Sequence, residues 1–217
     1  MCGTLASMQH GSAATMDQGR GMTLAEWEDL PEDEPGELLD GRLEEEEVSS
    51  FVHELVVIWF ATALRGWLAP QGGFVFGSDA KFALKPSRGR KPDLSVFLPG
   101  SRRPPARGAA RVPADIMVEV ISPTPKDARR DRVEKLKDYA AFGVRWYWLV
   151  DPELGSLEIF ELGADGRYVH ACAATSGVIE HVPGCEGLQL DLDTLWAEVD
   201  RLEPESAEAQ EQGNEEP

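Results

Sequence analysis

From Ser49 to Leu68 the apolar residues Val52, Leu55, Val56, Trp59, Ala63 and Trp67 recur at helical spacing, and Gly72-Gly73 follows the helix end. A second helix is marked at its start by Thr124-Pro125-Lys126-Asp127, with Thr as cap and Pro at the first helical position. It should run to about Phe142 and close at Gly143. A short first helix is announced by Thr23-Leu24-Ala25-Glu26, a capping box, and should stop before Pro31.

Alternating and short continuous apolar runs supply the strands. Glu37-Leu38-Leu39-Asp40-Gly41-Arg42-Leu43 reads as a hairpin turning on Asp-Gly. Phe74–Leu84 reads as one strand bent near Gly77, and the segments 86–91 and 99–113, rich in Pro, Arg and Gly, read as loops. Between those loops lies the short apolar run Leu94–Leu98, followed downstream by Ile116–Ile121 and Arg145–Val150. Leu157–Leu162 and Arg167–Ala171 form a further hairpin around Ala164-Asp165-Gly166. Strand–helix–strand order from 115 to 150 implies one βαβ crossover, and the flanking hairpins make the sheet mixed. The expected fold class is therefore α/β (α+β), with a central mixed β-sheet flanked by helices.

Two positions break the apolar pattern. Asp93 opens the run Leu94–Leu98, and Glu119 lies inside Ile116–Ile121. Desolvating a carboxylate costs several kcal/mol unless a cation or hydrogen-bond donors meet it. Alternation puts Glu119 on one strand face with Met117 and Ile121, and Ile116, Val118 and Val120 on the other. On the following helix Ala128, Asp131, Lys135, Tyr139 and Phe142 share a stripe at 100° per residue. Lys135 is thus aimed where it could meet both carboxylates. Hard oxygen ligands without His or Cys nearby in sequence suit Mg2+ or Mn2+ better than zinc. Plainer readings stand beside this one. Asp93 after Pro92 could be a strand-entry residue, and Glu119 could form a buried ion pair with Lys135 and bind no metal.

Charge changes the picture by its distribution. The chain of 217 residues carries a formal charge of −18, which opposes a nucleic-acid partner. The acids concentrate in 26–54, where Arg42 is the single Lys or Arg, and in 186–217, where Arg201 is the single one. The stretch from Lys85 to Arg111 reverses this, with Asp93 as its one acid. The three cysteines, Cys2, Cys172 and Cys185, form no CxxC pair and fit a reducing cytoplasm. No run of about 18 apolar residues is present, so no membrane span is expected. Composition divides the chain into an extension over 1–21, with Met22 a second candidate start, one domain over 22–202, and an acidic tail over 203–217. Both ends are expected to be disordered.

The Glu37–Gly41 segment, His53, Pro92-Asp93, Val118–Pro123, Asp131, Lys135, Tyr139, Gly143-Val144 and Tyr147–Pro152 together resemble the Uma2 family of restriction-endonuclease-like proteins. The resemblance spans about 22–196 and is most specific from Glu119 to Pro152. It implies the PD-(D/E)XK nuclease fold, with a restriction-endonuclease-like core, and Asp93 and Glu119 as metal ligands. It also implies Glu37 as an accessory acid. The lysine usual two residues after the glutamate is replaced by Ile121, which makes Lys135 the candidate. His53 matches a recurring histidine, although a capping or packed role near the helix start is preferred.

The expected activity is Mg2+- or Mn2+-dependent hydrolysis of DNA phosphodiester bonds. Asp93 and Glu119 would hold the metal, joined by the Val120 carbonyl, and Lys135 would position a water. Cutting two strands with one centre each is compatible with a homodimer. The rival expectation is a non-catalytic binding or regulatory protein on a nuclease fold, favoured by the acidic excess. A third is a nuclease that needs a partner to supply DNA affinity.

Overall fold

The computed structural model describes residues 21–31, 36–44 and 49–202. Apart from Gly21, the expected N-terminal extension lies outside the described residues, as do the tail 203–217 and Glu45–Glu47 of the acidic run.

Local signals set the first elements. In α1 (Leu24–Glu28) Thr23 Oγ1 accepts from Glu26 N, and the Glu26 carboxylate accepts from Thr23 N at 2.7 Å, which completes the capping box. Strands β1 (Glu37–Leu39) and β2 (Arg42–Glu44) form the hairpin. Asp40 and Gly41 take φ of 50° and 81°, the left-handed pair a tight hairpin turn demands. Ser50 caps α2 (Phe51–Leu68) by accepting from His53 N at 3.1 Å.

The segment read as one bent strand is two. β3 (Phe74–Phe76) and β4 (Phe82–Lys85) belong to different sheets. The turn-forming residues 77–81 part them, and buried Lys81 donates to the carbonyls of Leu30 and Pro31 at the end of α1. Nor is 86–91 all loop, because Arg88–Arg90 forms β5 between β1 and β4. That strand packs on the fully buried Trp27, and a Cβ at Gly89 would meet the indole at 2.4 Å. Only glycine fits there. The small sheet runs β2-β1-β5-β4.

The main sheet is six-stranded, ordered β10-β9-β8-β7-β6-β3. Its members beyond β3 are β6 (Leu94–Phe97), β7 (Ile116–Val120), β8 (Trp146–Asp151), β9 (Ser156–Leu162) and β10 (Tyr168–Ala174). β7 and β8 are parallel and the other neighbours antiparallel, so the sheet is mixed with one crossover, as the sequence predicts. That crossover is α3 (Pro125–Arg129), a π-helical stretch (Arg130–Lys135) and α4 (Leu136–Phe142), closed by Gly143 at φ 93°. The π stretch was not foreseen. β11 (Val178–Ile179) and β12 (Leu190–Asp191) pair with each other before α5 (Leu192–Asp200).

α2 and α5 cover one face of the main sheet, meeting Ile116, Val118, Val120 and both Trp146 and Trp148. α4 covers the other, with Tyr139 packed among Met117, Ile121, Tyr147 and Leu149. The buried stripe of α2 is Val56, Phe60, Leu64 and Leu68, one position on from the expected stripe, whose other members are half-buried. Among the described residues, Phe51–Gln71 is the one helix long and apolar enough to cross a membrane, at mean hydropathy 1.3, and here its inner stripe is a core layer.

Candidate active site

Both strand carboxylates sit at one end of the main sheet. Antiparallel pairing sets Leu94 opposite Val118, and continuing that register brings Asp93 across from Glu119. The contact is tied by a hydrogen bond, Val120 N donating to Asp93 Oδ2 at 2.7 Å. Glu119 is 1% exposed. Lys135 Nζ donates to its Oε2 at 2.8 Å, and Tyr139 Oη donates to its Oε1 at 2.6 Å. The three residues singled out in the sequence therefore converge.

The widened helical turn explains how. It presents Asp131 and Lys135 together, with Asp131 Oδ1 3.1 Å from Lys135 Nζ. Such turns depart from the regular backbone ladder, and here the Tyr147 hydroxyl donates to the Asp131 carbonyl oxygen at 3.0 Å. The sheet thus clasps the irregular turn. Asp131 carried no site role in the sequence reading, although it shared the Lys135 stripe.

His53 reaches the same place from α2, its Nε2 3.3 Å from Asp93 Oδ2. It is buried, but it faces a carboxylate rather than acting only as a packed or capping group. Glu37 is placed differently. Its Oε2 accepts from Arg90 Nη1 at 2.6 Å and its Oε1 from Lys91 N at 2.9 Å, so it anchors β1 to β5. Arg90 is fully buried and also donates to Asp138 of α4, fastening the small sheet to the crossover helix. Arg130, which taken with Arg129 and Arg132 reads in the sequence as an exposed helix surface, is buried at the site. Arg132 of the same run pairs with Asp151 and Glu158.

His53, Asp93, Glu119, Val120, Asp131 and Lys135 border a cavity of about 20 Å³. That is room for one water or one small ion. Ser122 and Arg130 lie at its margin.

The electrostatics are those of crowded acids. Burial pushes Glu119 well above the usual carboxylate range, Lys135 pulls it down, and Asp93, Asp131 and Glu37 push it up again. Burial likewise raises Asp131 against the pull of Lys135. Burial opposes ionisation of Asp93 too, yet His53, Lys135 and the Val120 N–H hold it below its ordinary value. Glu37 is kept low against burial by Lys135, Arg90 and the Lys91 N–H. Burial raises Tyr139 far above a free phenol, so it stays a donor to Glu119. With Arg90 matched to Glu37, the three carboxylates of Asp93, Glu119 and Asp131 face Lys135, Arg130 and His53, so with His53 neutral the ionised acids exceed the cations by one.

Such a donor set fits a hard divalent cation by chemistry and by size. It is not a ready-made cage. Among the described residues, no three His, Cys, Asp or Glu side chains stand grouped to hold a metal. The reason is local: both Glu119 oxygens are engaged by Lys135 and Tyr139, and Asp93 Oδ2 by Val120 N. Coordination by Glu119 would require Lys135 to yield one oxygen and remain beside Asp131.

Comparison with known proteins agrees with this architecture. The fold class is that of a crystal structure described as "a putative nuclease belonging to DUF820 from Anabaena variabilis ATCC 29413". The two superpose with a TM-score of 0.65 over 82% of this chain and 99% of that one, at 17% identity. At that identity the likeness is one of fold. The model of the Uma2 family, "Putative restriction endonuclease", matches residues 23–193, and the chain belongs to that family. No curated protein matches it in sequence.

Proposed function

We propose that this chain is a Mg2+- or Mn2+-dependent endonuclease of the cytoplasm that hydrolyses DNA phosphodiester bonds. Family membership supports the nuclease class, and one observation carries the finer reading. Asp93, Glu119 and Lys135, from three separate elements, border a single cavity of ion size. Asp93, Glu119 and the Val120 carbonyl would hold the cation, which supplies Lewis-acid polarisation of the phosphate and an activated water. Lys135 orients that water and offsets charge developing on the phosphoryl oxygens. Tyr139 fixes the Glu119 rotamer, and His53 fixes Asp93. Glu37 acts from behind, through Arg90 and Asp138, by holding the crossover helix in place.

The test is cleavage of supercoiled plasmid with Mg2+ or Mn2+ by the wild type, Asp93→Ala and Lys135→Met. Loss of about a hundredfold or more in both variants is expected, the scale of removing one preorganised electrostatic group. Equal cutting by all three would overturn the assignment.

A second reading, a non-catalytic nuclease-fold protein, is favoured by the Lys135 and Tyr139 bonds that already satisfy Glu119. Titration calorimetry with Mn2+ separates the two: the nuclease reading requires binding that Glu119→Ala weakens.

A further inference from the structure

On the same face of the main sheet as Asp93, at its outer edge, lies a surface unlike the rest of this acidic molecule. β3 is the edge strand, and its Phe74 and Phe76 are 40% and 37% exposed. Their rings stack at 6.1 Å and 14°, and the series continues inward through Phe97 and Phe82. Exposed aromatics in a row on an unpaired edge are an aggregation hazard unless they serve a purpose.

Beside them the loop 99–109 presents arginines. It is pinned at one end, where Asp115 accepts from Leu98 N and Ser101 Oγ, and at the other, where Ala110 bridges to Phe82. The Arg103 guanidinium lies over the Phe74 ring at 5.5 Å. Arg102, Arg103 and Arg107 are exposed and have no carboxylate partner among the described residues. Of the other cations from Lys85 to Arg111, four are already matched: Arg88 to Asp40, Arg90 to Glu37, Arg111 to Glu28 and Lys91 to Asp79.

Beside edge and loop runs a groove of about 690 Å³, lined by Phe76, Phe97, Pro104, Pro105 and Arg107 and also by Glu28 and Asp79, the acids paired by Arg111 and Lys91. That volume lies in the range of small-ligand sites. Phe74 and Arg103 adjoin this lining through the Phe74–Phe76 stack. Phe97 and Asp93 share a strand face four residues apart, about 13 Å along β6.

We infer that this groove, with the sheet edge and loop beside it, binds an unpaired nucleic-acid strand, bases stacking on Phe74 and Phe76 and phosphates meeting Arg102, Arg103 and Arg107. The combination of planar hydrophobic platforms with free guanidinium groups is what single strands recognise, because every base has a π face and every linkage a charge. It also answers the charge problem. With a formal charge of −18, a polyanion can approach only where positive charge is local. The inference rests on the nuclease reading for its purpose but not for its binding chemistry. The strand would lead away from the cavity along the sheet edge.

The test is fluorescence anisotropy in EDTA with labelled oligothymidine, its RNA counterpart and a duplex of equal length. The wild type is compared with Phe74→Ala/Phe76→Ala and with the surface variant Arg102→Glu/Arg103→Glu, each checked for an unchanged melting transition. Single strands should bind more tightly than duplex. The aromatic variant should lose about tenfold or more in affinity. The arginine variant should weaken binding and flatten the salt dependence of log Kd by about 1 to 2. Tighter RNA than DNA binding would keep the groove and change its strand. Variants that bind like wild type, or a wild type that binds no oligonucleotide, overturn the inference. Plasmid cleavage in Mg2+ keeps the two claims apart. A wild type that cuts while groove variants bind and cut equally well sinks the groove alone. Groove-dependent binding without cutting sinks the nuclease reading alone.

Discussion

At the scale of single residues, the site holds more negative charge than its own cations balance, and stability should report this. Asp131 is buried with Lys135 Nζ 3.1 Å from its Oδ1, yet burial raises its carboxyl above the ordinary value against that pull. A folded-state value above the unfolded one means that ionised Asp131 disfavours the fold. That penalty is fully present above the raised value and fades as pH falls through it toward 3.8. Asp131→Asn should therefore raise the melting temperature of the metal-free protein at pH 8, by about 2–4 °C for each kcal/mol recovered. The gain should vanish near pH 4. Differential scanning calorimetry across pH checks it, and a destabilised or pH-indifferent variant would contradict the excess-charge account. Asp93 and Glu119 were legible in sequence because each breaks an apolar run, and Lys135 because it shares a helical stripe with Tyr139 and Phe142. Arg90, Asp138 and the Asp131 role were not, because ordinary charged residues acquire meaning only when long-range folding buries them together.

At the scale of elements, the helical stretch from 125 to 142 was legible in place, cap and stop, but its π-helical turn was not. Nothing in Arg130–Lys135 marks it; the partner of its irregular backbone lies in the sheet, where Tyr147 donates to the Asp131 carbonyl. Tyr147→Phe should cost about 1 kcal/mol, the usual net value of a buried hydrogen bond. It should also slow plasmid cutting, since Lys135 would lose its seat. Urea melts and plasmid cleavage read both, and full activity would mean the turn holds itself. Strand β5 was missed for a related reason. Arg88-Gly89-Arg90 has no apolar side chain, and it is a strand through its pairing with β1 and β4, with Trp27 packed against Gly89. Gly89→Ala should destabilise by about 1–3 kcal/mol through overpacking, seen as a lower urea midpoint.

At the scale of the whole molecule, the mixed sheet with a single parallel pair followed from the order of predicted elements, and the observed topology matches it. The second, smaller sheet did not follow, because its strands are short, its central β5 has no apolar side chain, and they come from two distant segments. Overall charge gives a prediction that needs no coordinates. Residues 203–217 carry acids and no Lys or Arg, so ending the chain at Leu202 should speed cleavage of dilute DNA in low salt. The advantage should disappear near 1 M salt, where the Debye length is about 3 Å. Steady-state rates at several ionic strengths test this, and a tail-less chain no faster than the full one would show that its repulsion is immaterial.

The parallel pairing of β7 with β8 also sets a schedule. A nascent chain that stops before Trp146 already contains Asp93, Glu119 and Lys135, but it lacks the neighbour strand against which the crossover docks. It lacks the Tyr147 hydroxyl as well. Ribosome-bound fragments therefore carry every reactive side chain with no pocket to hold them. Whatever chemistry this centre performs is withheld from the cell until β8, with Tyr147, has emerged.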